Sequence, residues 1–393
     1  MLYSSSFIIM ALVNLFTVSS FGSFFLFPLF VTRHGGSESD IGIIMGVFAL
    51  SGVLCRPWIS EMIDRIGRKR SYTIGCAIMA VLPLGYLLFD GDLSSFYLSL
   101  ILIRIIHGVG LAICFTAAFT YIADIIPKER LNEGIGIFGL TGLAGQAVGP
   151  SIAEIIIQKY GFSIFFLAAT GTASIGFLLH LLLPESFAHA SGTSPQAFFS
   201  VLRKKRVLTV GLLAFLFGFG LAASSSFVSP FSKERGIAFI SIYYLSYSSA
   251  AVLTRFVGGR VADKIGEERV IPYALILTGG GLLILTFLGG DIVLILSGLV
   301  SGCGHGFLFP SLNSLAVRKE SSGIRGKITG VFTGAIDTGT LVGSIILGYI
   351  GEWAGFPALF FVAGLALFMG FGIYEFRIMN SKGLAVAKGV DEK

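Results

Sequence analysis

Four side chains with useful chemistry stand inside apolar stretches: Asp337, Arg104, His107 and His305. Burial disfavours the charged form of a carboxylate, so a buried aspartate can load and release a proton near neutral pH. That makes Asp337 the leading proton or substrate site. An imidazole titrates in the same range, and a guanidinium can hold an anion or tune a nearby proton site. Arg104 and His107 are one helical turn apart and share a face. Asn14, in the first apolar run, could line a cavity. Each of these groups could instead make a structural hydrogen bond to a neighbouring helix, and spacing alone does not separate the two roles. A charge at a bilayer centre costs at least ~2.5 kcal/mol, so such residues normally face an internal cavity.

Other chemistries are excluded by pattern. Neither H-E-x-x-H nor G-x-S-x-G occurs in the chain. Cys55, Cys76, Cys114 and Cys303 have no C-x-x-C spacing, so neither zinc nor a disulfide framework is expected, and they read as small buried hydrophobes. The stretch Gly323-Ile324-Arg325-Gly326-Lys327-Ile328 imitates a phosphate loop. It lacks the first glycine, where Ser321 stands, and the magnesium-binding hydroxyl, where Ile328 stands. No cofactor is expected.

The elements that must position these residues are membrane helices. Of 393 residues, 54% are hydrophobic and only 13% charged, with a mean hydropathy of +0.87. A soluble domain carries about 25% charged residues. The abundance of glycine suits close helix packing in lipid. Twelve spans are expected, near 7–31, 41–61, 72–90, 95–120, 132–157, 162–183, 207–231, 240–261, 270–289, 292–316, 327–350 and 356–377. The fold class is thus an all-α membrane protein of two six-helix halves, 1–183 and 207–393. A linker over 184–206 ends in Arg203-Lys204-Lys205-Arg206, a topology anchor or a lipid-headgroup contact. The first run is taken as a span rather than a signal peptide.

Charge sets orientation. The formal net charge is +6, and the basic residues gather in alternate connections: Arg65, Arg68, Lys69 and Arg70; Lys128 and Arg130; Lys264 and Arg269; Arg318, Lys319, Arg325 and Lys327. By the positive-inside rule these connections and both termini are cytoplasmic. The same distribution argues against nucleic acid as a partner.

The chain also repeats itself. Arg255, Asp263 and Gly266 follow Arg56, Asp64 and Gly67 at one constant offset. Phe332, Gly339 and Gly343 likewise follow Phe138, Gly145 and Gly149, and Gly304-His305-Gly306 follows Gly108-Val109-Gly110. Two parallel six-helix repeats with a substrate between them are a transporter design.

These motifs resemble the major facilitator superfamily over the whole chain. Ser60 to Arg70 is similar to its loop motif G-x-L-A-D-R-x-G-R-R, with Ser60 at the first glycine. Arg104 to Gly110 resembles R-x-x-Q-G-x-G, with His107 at the glutamine. Gly145 to Pro150 resembles the G-x-x-x-G-P motif of drug:proton antiporters, without its last two glycines. The texture is that of bacterial sugar, drug or metallophore exporters.

The resemblance implies a cytoplasmic gate made by Asp64, Arg65, Gly67, Arg68 and Arg70, with Asp263 and Gly266 as its weaker copy and span eleven as its partner. The basic residues alone could merely obey the charge rule, and Arg56 and Arg255 could snorkel to the membrane surface. Gly142, Gly145, Gly149 and Pro150 would form a packing face, with a bend at Pro150. The expected activity is proton-coupled export of a small molecule by a monomer in the bacterial inner membrane. Proton-coupled uptake of a polar solute is the near alternative, and a membrane-embedded enzyme or sensor the remote one.

Overall fold

The computed structural model describes residues 3–127, 130–186, 205–317 and 322–390, with side chains described outside 131–132, 205, 257–265, 322–327 and 377–390. Every regular element among them is helical: α1 Ser5–Ser23, α2 Phe27–Arg33, α3 Glu38–Ile66, α4 Arg68–Gly85, α5 Leu93–Ile125, α6 Leu131–Leu181, α7 Lys205–Glu234, α8 Ile242–Ile265, α9 Glu267–Ile284, α10 Asp291–Val317 and α11 Ser322–Val390. Nine helical segments among the described residues are long and apolar enough to cross a membrane.

Two of those segments, Glu133–Leu181 and Ile328–Phe376, are 49 residues long. A single span uses about 20. Each breaks where a glycine takes a left-handed conformation that a residue with a Cβ rarely adopts: Gly161 at φ 81° and Gly355 at φ 82°. The bend expected at Pro150 is not there. Pro150 sits within continuous helix, and the interruption falls eleven residues later.

Other helix starts are built locally. Ser37 caps α3 through a reciprocal pair with Asp40, whose backbone N–H donates to Ser37 Oγ at 3.3 Å while its carboxylate accepts from Ser37 N at 2.9 Å. Ser4 Oγ accepts from Phe7 N at 3.2 Å at the start of α1.

Packing follows the repeats. α1 lies along α6 as α7 lies along α11; α3 and α4 cover α5 as α8 and α9 cover α10; and α3 meets α11 while α6 meets α8. Small residues set the closest approaches. A Cβ on Gly145 would stand 2.9 Å from Ser19 N, and one on Gly149 would run into Ser19 O. At matching places a Cβ on Gly339 would run into Phe215 O, and one on Gly343 would come within 2.9 Å of Phe219 Cα. Gly142 is looser, 3.6 Å from Asn14 Nδ2 by the same measure. These glycines set the close contacts between helices. Large apolar side chains cover the outside, with Trp353 93%, Leu88 81% and Phe287 81% exposed. Such a surface suits lipid rather than water.

Candidate functional site

Asp337 is held by an arginine. Midway along α3, Arg56 turns inward instead of reaching for the membrane surface, and its Nη2 pairs with Asp337 Oδ2. The other terminal nitrogen, Nη1, donates to Thr333 Oγ1 at 2.8 Å, one turn before Asp337 on α11. Gly52 makes the approach possible: a Cβ there would stand 2.7 Å from Asp337 Oδ2. Both side chains are partly accessible, 20% for Arg56 and 30% for Asp337. The pair bridges α3 and α11 within their membrane-spanning parts.

Arg104 is elsewhere, and only 2% exposed. No carboxylate among the described residues pairs with it. Its guanidinium sits over the rings of Phe48, Phe27 and Phe24, at 4.5, 5.0 and 5.9 Å from their centroids. Nε donates to Ile44 O at 3.3 Å, and Nη2 contacts Met45 Sδ at 3.3 Å. Desolvated cation–π contacts are worth about 2 kcal/mol each at best, which offsets part of the cost of burying the charge. His107 shares this aromatic cage, with Phe24 at 4.9 Å and Phe48 at 5.5 Å, and its Nδ1 bonds to Tyr86 OH at 3.1 Å. Arg104 and His107 are therefore brought together, away from Asp337. Asn14 donates to Thr141 Oγ1 at 2.8 Å and ties α1 to α6.

His305 lies in a second cluster. Its Nδ1 bonds to Tyr247 OH of α8. Its ring meets Phe217 of α7 at 5.0 Å and Phe309 of its own helix at 6.1 Å. Arg255 joins there, with its guanidinium 5.7 Å from the Phe309 centroid.

At the Gly67 end, Asp64 is 72% exposed and faces Arg68 at 3.4 Å, within its own turn of chain. Arg68 Nε also meets Asp124 of α5 at 2.9 Å, and Arg65 pairs with Glu61 at 2.5 Å. The carboxylate that caps a helix N-terminus is that of Glu185. It accepts from the backbone nitrogens of Arg68, Lys69 and Arg70 at 2.9, 3.1 and 3.4 Å, opposite the positive end of α4. A Cβ on Gly67 would stand 2.6 Å from that carboxylate. Ser60, which departs from the family glycine, is exposed. In the second copy, the Asp263 side chain lies outside those described. Gly266, at φ 85°, opens α9, whose own Glu267 and Glu268 occupy the first turn.

The opposite, Ser37 end is fastened by residues that spacing did not single out for this. Glu154 is buried and accepts from Ile240 N and Ser241 N, both at 2.7 Å, at the start of α8. Glu352 accepts from Ser37 Oγ at 3.1 Å and Ser39 N at 3.3 Å, at the start of α3. Each carboxylate meets the positive end of a helix from the other stretch of chain. Their helix-start partners are backbone groups, which no side-chain motif records.

Helices of membrane-spanning length, an ion pair between α3 and α11 and carboxylates on helix starts at the Ser37 end are the features of a multi-pass membrane protein. The chain belongs to the major facilitator superfamily, whose family model matches residues 7–320 and again 210–386. Members move solutes and are not enzymes. The chain is 28% identical to multidrug resistance protein 2 of Bacillus subtilis over 366 residues, 88% of each chain. It is 23% identical to the staphylopine export protein of Staphylococcus aureus, covering 84% of this chain and 85% of that one. A crystal structure of the nucleoside transporter NupG superposes with a TM-score of 0.75 at 15% identity, over 95% of this chain and 98% of that one.

Proposed function

We propose that this protein is a proton-coupled exporter of a small molecule in the bacterial cytoplasmic membrane, acting by alternating access. The observation that carries the reading is the Arg56–Asp337 pair, an ion pair within the spans that joins α3 to α11. Protonation of Asp337 removes its charge and most of its attraction for Arg56. A proton taken up there loosens the ion pair between these helices, and its release restores it. Proton binding and helix separation are then a single event.

The rest of the reading is assembled around that link. The glycine breaks at Gly161 and Gly355 divide two long helices, and α8 is 24 residues long. This supports twelve spans in two halves, 1–183 and 207–393, joined by a linker over 184–206. The basic connections place the Gly67 end and both termini in the cytoplasm. Glu154 and Glu352 then close the outer side, and the cytoplasmic gate residues Asp64, Arg65, Gly67, Arg68 and Arg70 bond within the first half and to Glu185 at the start of the linker. Relatives named for multidrug resistance and staphylopine export support the outward direction.

The test has two stages. A thermal-shift screen of the purified protein across drugs, sugars and metallophores selects a ligand. Its export from proteoliposomes is then followed under an imposed pH gradient. Export should fall when the gradient is dissipated. Export that persists without the gradient defeats proton coupling.

A further inference from the structure

Arg255 is the counterpart of Arg56 in the second copy of the loop motif. At the offset that relates Phe138, Gly145 and Gly149 to Phe332, Gly339 and Gly343, the two partners of Arg56 also have counterparts. Thr333 maps to Gly139, and Asp337 maps to Leu143. The second copy keeps the cation and has neither the hydroxyl nor the carboxylate.

The structure places Arg255 where those partners would have been. A Cβ on Gly139 of α6 would stand 3.0 Å from Arg255 Nη1, so the guanidinium crosses from α8 to α6 as Arg56 crosses from α3 to α11. Arg255 Nε is buried without a hydrogen-bond partner, and no hydrogen bond or ion pair among the described residues reaches the terminal nitrogens. Its surroundings are aromatic: Phe309 at 5.7 Å, with Phe332 packed on Phe309 at 5.4 Å and the His305 ring at 6.1 Å. The Tyr247 hydroxyl, bonded to His305 Nδ1, adds a polar edge.

We propose that Arg255 is the substrate's anion site: an organic anion with an apolar or aromatic body, whose carboxylate takes the place that Asp337 holds for Arg56. A guanidinium in a space of low dielectric needs a counter-charge, and its planar fork suits a carboxylate held by two parallel hydrogen bonds. Phe309, half-buried, offers the face on which the apolar body would lie, and the buried Phe332 packs on it. This inference rests on the transporter reading above and names the substrate class for it.

The test uses 1-naphthoate and its neutral isostere 1-naphthamide. Each is titrated calorimetrically into the purified full-length protein in phosphatidylcholine nanodiscs, where no anionic headgroup competes. Naphthoate should bind at least about tenfold more tightly than naphthamide, a difference of about 1.4 kcal/mol. Arg255→Gln should remove that preference, and Arg255→Lys should keep part of it.

A second variant works by addition. Gly139→Asp places a carboxylate beside Arg255 from within the protein and should abolish naphthoate binding while leaving naphthamide unchanged. Equal binding of the two probes by the wild type, no naphthoate binding at all, or wild-type naphthoate affinity in Arg255→Gln or Gly139→Asp each overturns the proposal. Export of the screened ligand under a pH gradient is measured on the same preparations. If export stays gradient-driven while the naphthoate preference is absent, the anion site fails alone. If the preference holds while export ignores the gradient, proton coupling fails alone.

Discussion

Arg56 and Arg255 occupy matching places in two copies of one motif, and the protein treats them differently. Arg56 spends its two terminal nitrogens on Thr333 and Asp337. Arg255 lies over Phe309 and against Gly139, with no acid paired to it among the described residues. The packing around them is nevertheless alike, with glycines letting α6 onto α1 and α11 onto α7. Duplication preserved the scaffold while the charges diverged. One arginine became half of an ion pair, and the other has no acidic partner among the described residues.

The comparison can be broken at several points. The largest effect is expected from Asp337→Asn, which keeps the shape and removes the titration. Gradient-driven export in proteoliposomes should fall about 100-fold, equivalent to about 2.7 kcal/mol, while insertion and a monodisperse elution profile are retained. Wild-type export in that variant would remove Asp337 from the mechanism.

Next come Gly149→Val and Gly339→Val, which probe what the two copies share. Each new side chain would run into a backbone carbonyl, Ser19 O or Phe215 O. Both should destabilise by about 1–3 kcal/mol, the usual cost of overpacking. A thermal-unfolding series in detergent reads this, and markedly unequal losses would contradict equivalent packing.

A smaller and more pointed effect concerns the arginines themselves. Arg56→Gln strands the carboxylate of Asp337 and should cost about 1–2 kcal/mol after allowance for its partial exposure. Arg255→Gln strands nothing and should be neutral or slightly stabilising. The double variant Arg56→Gln with Asp337→Asn should regain stability over Arg56→Gln alone. Equal melting temperatures for Arg56→Gln and Arg255→Gln would mean that the ion pair contributes nothing.

The smallest effect is expected at Arg65, which is 75% exposed and paired only with the 57% exposed Glu61. Arg65→Ala should stay within about 0.5 kcal/mol of the wild type in the same assay. A loss several times larger would show that the exposed basic run does more than orient the chain.

Much of this was legible in one dimension. Apolar runs of span length, the basic connections and the repeated Arg-Asp-Gly motif all act through local composition, so the sequence by itself determined a membrane-embedded helical protein with a duplicated plan. It also marked Asp337 and Arg104 as charges in costly places, while Arg255 read as a snorkelling residue. Partnership was not legible. Arg56 read as a snorkelling residue because nothing near it in sequence is acidic; its partner lies on a helix near the other end of the chain. Arg104 and His107 read as candidates for a proton path, whereas tertiary packing sealed them among Phe24, Phe27 and Phe48. Asp64 read as a gate residue, and the carboxylate on the start of α4 is that of Glu185, because a cap is defined by backbone N–H groups that no side-chain motif displays. Which charge is neutralised, and by what, depends on distances between helices far apart in the chain. Coulomb and hydrogen-bond energies fall off within a few ångströms, so only the folded arrangement decided that the terminal nitrogens of Arg56 would meet Asp337 and Thr333 while those of Arg255 meet no acid among the described residues.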